Sequence, residues 1–490
     1  MRQAGVLNGG RGGIVPSARP PGTRLQAALS GGSDRRNLGL IVLGSMLMLL
    51  IIPPAHDYPI IDDWVYARSV HHQLATGIFQ MPPESEVTLV GLTLWGTLWA
   101  RLLGFSYTTL TLSTLVLALA GLLTFYATAR AVDVPTGGAL LGTVLLAVQP
   151  LFLHLSFSFM TDVPCLTLLL AACYSYLRGL LGGAAGWWWL GGLAIGMAFL
   201  IRQFALLVPC AFLLYLALDG LLTRRPRWAQ MVYLALGPAM ILLGWWLWSP
   251  GIRPTPLVGA FVGHGTWLGV CLSRALASLP LLGLAAPALG GIRRPHWGWV
   301  GFWSAILVGG WATVTAVRAP SVSHAAARFH VPGGPLGFDL ASQLNPFLGF
   351  GNILRTGGID FFDYRQEPIW TPDAWGLFFL GASALGVLLL AQMSAMFSVA
   401  WRKRRQGDWL PPRASLYLTG LALGLGALAL PATLYDRYLL GCIPFVILFG
   451  VAQAGSWGKG LRRALAAAMR PLVSNLSIAV SGSESSSLQE

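Results

Sequence analysis

The chain has 490 residues, of which 55% are hydrophobic and 10% are charged. An ordinary soluble domain has roughly 25% charged residues, so this composition excludes a protein that covers its whole surface with water-exposed side chains. The net charge of +14 does not indicate nucleic-acid binding, because the basic residues form short clusters between apolar segments. The composition predicts an integral membrane protein that contacts lipid and binds no nucleic acid.

The predicted elements, in chain order, are a tail, a series of membrane spans and a second tail. Residues 1–37 are rich in Gly, Pro and Arg and are predicted to be a disordered basic cytoplasmic tail. Residues 38–456 form the predicted transmembrane domain, and residues 457–490 form a cytoplasmic tail. Segments of about 20 apolar residues predict an all-α, polytopic fold of about 12 spans, roughly at 38–54, 107–129, 136–153, 163–181, 187–202, 204–221, 228–248, 266–290, 297–317, 373–399, 413–431 and 439–456.

One further apolar segment, residues 86–104, decides the predicted sidedness of the protein. If it does not cross the membrane, Arg130, Arg178 and the basic cluster at 224–227 are cytoplasmic; if it crosses, they are external. Because Lys and Arg concentrate on the cytoplasmic side, the first arrangement is favoured. Residues 86–104 are therefore predicted to be an interfacial helix inside an external segment, 55–106.

Two other segments matter for the predicted site. Residues 318–372 form a second external segment, rich in Gly, Pro, His and aromatic residues, and are predicted to be a functional loop. Residues 187–221 are compatible with two spans that turn near Arg202-Gln203, or with one long span. The one-span alternative would reverse the sidedness of everything after it.

Acidic residues follow two of the predicted spans on the same face. Asp62 and Asp63 are adjacent, so their carboxylates repel each other and at least one is expected to hold a proton or to have a cationic partner, as a general base can. In a helix, Asp62 and Tyr66 would share a face. The alternative is a solvated helix N-terminus, where the helix dipole favours acids. Asp162 lies either at a helix cap or, with the other acids, in a catalytic or ion site.

Two arginines are candidates for binding an anion. Arg202 lies between two apolar segments, where a charge needs a partner. Arg437 follows Asp436 at a predicted external helix end, and either pairs with it or binds a phosphate or carboxylate. The external histidines lack the spacing of metal ligands. The identity of any metal ligand is therefore unknown from the sequence.

A set of short motifs resembles the C-type membrane glycosyltransferases, and within them the branch of dolichyl-phosphate-mannose-protein mannosyltransferases and aminoarabinose transferases. The motifs are Asp-Asp-Trp-Val-Tyr-Ala at 62–67, Gly77, Pro82-Pro83, Thr-Asp-Val-Pro at 161–164, and Tyr-Asp-Arg-Tyr-Leu-Leu at 435–440. The resemblance implies many transmembrane helices, interfacial helices in the first external loop, a polyprenyl-phosphate-linked sugar donor and inversion at the sugar carbon. Gln80-Met81 departs from the Glu-Lys that precedes Pro-Pro in many relatives.

The resemblance also implies roles for individual residues. Asp62 is the expected catalytic aspartate, and Asp63 and Asp162 would position the acceptor or hold a divalent metal. The expected substrate-binding residues are Tyr66, Arg202, Arg437 and Tyr438. The expected acceptor is a lipid, glycan or protein hydroxyl on the external face of a bacterial cell membrane. The alternatives are a secondary transporter and a non-catalytic lipid-binding membrane protein.

Overall fold

A computed structural model describes the chain at residues 32–55, 57–59, 63–82, 85, 87–182, 184–223, 226–249, 297–305, 412–429 and 436–454, and at the helical positions 384, 386–388, 390–391, 394–395 and 398. Its elements are α1 Gly32–Ile51, α2 Asp63–Thr76, α3 Val90–Leu103, α4 Tyr107–Ala131, α5 Thr136–Ala147, α6 Pro150–Ser156, α7 Asp162–Leu180, α8 Gly186–Phe199, a 3-10 helix Gln203–Leu206, α9 Leu207–Thr223, α10 Trp228–Trp248, α11 Arg413–Ala429, a second 3-10 helix Asp436–Gly441, and α12 Ile443–Ala454.

The described elements are all helical, as the sequence predicts. Four helical segments are long and apolar enough to cross a membrane: Tyr107–Ala131, Asp162–Leu180, Gln203–Leu221 and Trp228–Trp248. A multi-pass, all-α membrane protein is therefore confirmed, while the count of 12 spans stays a prediction. Span 266–290, loop 318–372 and residues 457–490 lie outside the described residues, and spans 297–317 and 373–399 are only partly described.

The first helix begins earlier than the sequence predicts. Residues 32–37, assigned above to the tail, are helical, and Asp34 is buried. Its carboxylate accepts hydrogen bonds from the Tyr126 hydroxyl at 2.6 Å and from Arg130 Nε at 2.9 Å. Because these partners satisfy the buried charge, the helix can extend through polar residues. Residues 1–31 lie outside the described residues.

The predicted span 136–153 is divided into α5 and α6. The Gln149 side chain accepts a hydrogen bond from the Phe152 backbone N–H at 2.8 Å, which caps a new helix. Pro150 then occupies the first position of α6, where its missing N–H costs nothing. The apolar pattern predicted one helix because it contains no charge to signal the break.

The segment 187–221 forms two helices, α8 and α9, which settles the question that the sequence left open. Residues of α8 contact residues of α10 in the same order along both helices. Gly192 lies against Gly237, Gly196 against Ile241 and Phe199 against Trp245. These two helices are therefore parallel, and α9 between them has to run in the opposite direction. The reversal occurs at Arg202, whose backbone is extended at φ −147° and ψ 132°.

Helix α3 has both ends at the same end of the helical bundle. At its start, the Gly91 N–H donates to the Leu200 carbonyl at the end of α8, at 2.8 Å. Just after its end, the Tyr107 N–H donates to Asp57 Oδ1, at 3.2 Å, at the beginning of α4. Phe159, just before α7, and Leu110, near the start of α4, both lie beside Gly96 of α3. A helix that starts and finishes at one end of the bundle does not cross it, which agrees with the interfacial position expected for 86–104.

Candidate functional site

A buried ion pair joins two chain reversals at the end of the bundle where α3 lies. Arg202 Nη2 donates to Asp162 Oδ2 at 3.0 Å, and the two side chains are only 3% and 2% exposed. Arg202 Nε donates to the Thr161 hydroxyl at 2.6 Å. The Arg202 guanidinium also stacks over the Phe204 ring, with its carbon 5.6 Å from the ring centroid. A charge as deeply buried as that of Arg202 needs a partner, and this partner is Asp162.

This pairing changes the interpretation of the 161–164 motif. Thr161 occupies the N-cap position of α7, but its side chain makes no capping hydrogen bond. Its hydroxyl instead accepts the bond from Arg202, and the Asp162 carboxylate faces the same guanidinium. The capping alternative therefore does not explain these two residues. Pro164, in the first turn of α7, needs no N–H partner there.

The second acidic site begins helix α2. Asp63 is the first residue of α2 and is completely buried, and Tyr66 one turn later is also buried. Asp62, the expected catalytic acid, lies outside the described residues. The structure therefore describes Asp63, the next residue in the chain, but not the Asp62 carboxylate.

Helix α3 brings the two acidic sites to the same end of the bundle. A methyl group added at Gly96 would lie 2.5 Å from Phe159 Cζ and 2.8 Å from Val70 Cγ2. Phe159 precedes Asp162 by three residues, and Val70 lies two helical turns after Asp63. The predicted convergence of these acids is thus supported by direct packing of α3 on both segments.

The third predicted segment also reaches this end. Arg437 and Tyr438 lie in the 3-10 helix Asp436–Gly441, which packs against α6 and α7. A methyl group at Gly441 would lie 3.9 Å from the Phe204 ring, on which Arg202 stacks. The backbone of this segment is therefore adjacent to the Asp162–Arg202 pair. The side chains of Arg437 and Tyr438, and with them the pairing of Arg437 with Asp436, are not among the described side chains.

The sequence predicted Arg202 and Asp162 as site residues but did not identify what surrounds them. Thr161, which lies in the 161–164 motif, and Phe204 both contact the guanidinium, and nothing in the sequence indicates either contact. Among the described residues, no group of three or more His, Cys, Asp or Glu side chains is arranged to hold a metal ion.

Comparison with known proteins finds one family model that matches the central part of the chain. Residues 92–248 match the family model described as dolichyl-phosphate-mannose-protein mannosyltransferase. No curated protein matches the chain. The matched region contains α3 from Leu92 onward, Asp162 and Arg202. It does not contain Asp62, Asp63 or Arg437.

Two solved structures also show a likeness. One is ArnT from Cupriavidus metallidurans bound to undecaprenyl phosphate, with 15% identity and a TM-score of 0.37, covering 88% of this chain and 79% of that one. The other is the same protein in the apo state, with 16% identity and a TM-score of 0.36, covering 86% and 78%. At these TM-scores the likenesses do not establish a shared fold.

Proposed function

We propose that this chain is a membrane glycosyltransferase that takes its sugar from a polyprenyl-phosphate donor, because residues 92–248 match the family model described as dolichyl-phosphate-mannose-protein mannosyltransferase. The observation that carries the proposal is the buried Asp162–Arg202 pair, which lies inside the matched region and at the same end of the bundle as Asp63. Charges buried this completely are costly and are typical of functional sites in membrane proteins.

The chemistry requires one proton acceptor. A lipid phosphate is already a fair leaving group, so the enzyme has to deprotonate an acceptor hydroxyl as its oxygen attacks the sugar carbon. We assign this role to Asp62, which immediately precedes α2. Its carboxylate takes the hydroxyl proton, the new carbon–oxygen bond forms, and the bond to the phosphate oxygen breaks on the opposite side. A single displacement of this kind inverts the sugar carbon.

The leaving phosphate needs positive charge. Arg202 already donates from Nε to Thr161 and from Nη2 to Asp162, so its contribution in this proposal is its nearby charge and the fixed position of Asp162. Arg437, on the 3-10 helix beside Phe204, is the proposed direct phosphate contact, because a guanidinium fork matches two phosphate oxygens. Tyr438 and Tyr66 are the proposed neighbours of the sugar and its phosphate.

The two remaining acids have supporting roles. Asp63 is itself buried and begins helix α2, where its negative charge is favoured by the helix dipole and lies beside the proposed base. Asp162 holds Arg202 and so fixes the chain reversal after α8. In this mechanism no step passes through a metal ion. The acceptor is a lipid, glycan or protein hydroxyl at the external face of the membrane.

Transfer from defined donors tests this proposal. The full-length protein, reconstituted in vesicles, would be given labelled sugars linked to a polyprenyl phosphate or to a nucleotide, together with membrane extract as the source of acceptor. We expect labelled product only from the polyprenyl donors, with the sugar linkage inverted. Transfer from nucleotide donors alone, or retention of configuration, would contradict the proposal.

A further inference from the structure

Beyond the residues that the motifs single out, we infer that Thr88 is a positioning residue for sugar transfer. It fixes α3, and through α3 the helix α2 that Asp63 begins, against the corner formed by residues 199–202. The inference rests on the proposed function for its kinetic consequence. Its structural part, that Thr88 holds α3 in register with α8, is independent of the sugar donor.

The joint consists of three hydrogen bonds between the start of α3 and this corner. The Thr88 hydroxyl, which is completely buried, donates to the Phe199 carbonyl. The backbone N–H of Leu89 donates to the Ile201 carbonyl at 3.4 Å, and that of Gly91 donates to the Leu200 carbonyl at 2.8 Å. Arg202 is the next residue along the chain. The joint therefore attaches α3 immediately beside the buried ion pair.

The backbone at this joint is held in an unfavourable conformation. Leu89 has φ 60° and ψ −17°, in the left-handed region that a leucine rarely adopts, and its side chain is completely buried. Such conformations persist where the surrounding structure fixes them, and they are enriched at functional sites. Gly91 is also constrained, because a methyl group there would lie 2.9 Å from Ile201 Cγ1 and 3.2 Å from the Met197 carbonyl oxygen. The local sequence is thus fitted to close contact with the corner.

The joint is connected to helix α2 in two ways. Helix α3 packs directly on Val70 of α2 through Gly96. The segment between the two helices is tied back to α2 by the Ser69 hydroxyl, which donates to the Gln80 carbonyl at 3.1 Å. A shift of α3 at Thr88 would therefore displace α2, whose first residue follows the proposed base. The carboxylate of the proposed base, Asp62, would then move relative to Asp162 and Arg202.

The same segment also rests on an aromatic row. Phe79 contacts Trp248 with ring centroids 6.2 Å apart, Trp248 contacts Trp245 at 5.9 Å, and Trp245 contacts Phe199 at 5.9 Å. The row ends at the residue whose carbonyl accepts the Thr88 hydrogen bond. The two ends of segment 79–88 are consequently anchored to the same corner, one by aromatic packing and one by a hydroxyl.

Thr88→Val tests the hydroxyl alone, because valine has nearly the same shape. We expect kcat for sugar transfer to fall about tenfold while the KM for the polyprenyl donor stays unchanged, since a displaced base affects the transition state and not donor binding. Thr88→Ser, which keeps the hydroxyl, should restore kcat. If Thr88→Val does not fold, Gly91→Ala is the second variant, because its methyl group disturbs the same joint. It should likewise lower kcat and leave the KM for the donor unchanged.

Thr143→Val is the matched control. Thr143 is also buried, and its hydroxyl donates to the Ala139 carbonyl at 2.8 Å inside its own helix. Thr143→Val should lower the free energy of unfolding by about as much as Thr88→Val does, but it should leave kcat unchanged. Equal kcat for Thr88→Val, Thr143→Val and the wild type would overturn the inference.

A distance measurement keeps this inference separate from the proposed donor. Spin labels at Leu98 on α3 and Leu190 on α8, both exposed, report the separation of the two helices. The distribution of distances should broaden in Thr88→Val and stay unchanged in Thr143→Val. An unchanged distribution in both variants would overturn the structural part even if transfer is observed. Absence of transfer from any polyprenyl donor by the wild type, with a broadened distribution, would refute the donor and leave the joint supported.

Discussion

Breaking the Asp162–Arg202 pair should be far more damaging than removing both partners. The pair is a 3.0 Å contact between side chains that are 3% and 2% exposed. Removal of one partner leaves an uncompensated buried charge, at a cost of about 3–5 kcal/mol. Arg202→Met also removes the hydrogen bond to Thr161, which contributes about 1 kcal/mol. Asp162→Asn and Arg202→Met are therefore each expected to lower the free energy of unfolding strongly.

The double variant isolates the pairwise interaction. With both charges removed, the penalty for an unpaired charge disappears, so the double variant should be at least as stable as either single variant. It should therefore be more stable than the sum of the single effects predicts by at least about 3 kcal/mol. The assay is reversible unfolding of the full chain in mixed micelles, followed by tryptophan fluorescence. Combining Asp162→Asn with Arg178→Met provides the control, because the described contacts of Arg178 are with the Tyr174 hydroxyl and with the rings of Tyr174 and Trp187, and that pair should be additive. Additivity of Asp162→Asn with Arg202→Met would refute the reasoning.

Two further predictions concern packing and sidedness. Gly192→Ala should destabilise the protein by about 1–3 kcal/mol, because a methyl group there would lie 2.9 Å from Gly237 Cα on α10. Gly244→Ala should not destabilise it, because there is open space around Gly244. Equal melting temperatures for the two variants would show that the contact between Gly192 and Gly237 is not tight. Ile78→Cys and Leu221→Cys, exposed at opposite ends of the bundle, should react differently with an impermeant maleimide on intact cells. We expect labelling at 78 alone, and labelling at 221 alone would reverse the proposed orientation.

Several features of the fold could be predicted because the membrane restricts what a sequence can do. The apolar lengths predicted α4, α7 and α10 within a few residues, since a span needs a fixed number of apolar residues. The distribution of Arg residues predicted that 86–104 does not cross, and the contacts of α3 agree. Composition did not reveal the break at Gln149 or the early start of α1 at Gly32, because both depend on particular hydrogen bonds.

The site was predicted unevenly for a related reason. Asp162 and Arg202 are conspicuous because charges are rare between apolar segments, but their direct pairing joins positions 40 residues apart in the chain, and no local pattern encodes such a contact. Thr88 and Phe204 were missed because a threonine and a phenylalanine are ordinary in an apolar chain. Their roles depend on the carbonyl at Phe199 and the guanidinium at Arg202, which only the folded chain brings to them.

Sugar transfer by Asp62→Asn tests the central claim most directly. Asp57→Asn is the matched control, because Asp57 is an exposed acid in the same segment whose described contact is with the Tyr107 backbone N–H. If Asp62 is the general base, Asp62→Asn should lose about 10²–10⁴-fold in kcat while still binding polyprenyl phosphate, and Asp57→Asn should retain activity. Transfer by Asp62→Asn at the wild-type rate would contradict the account.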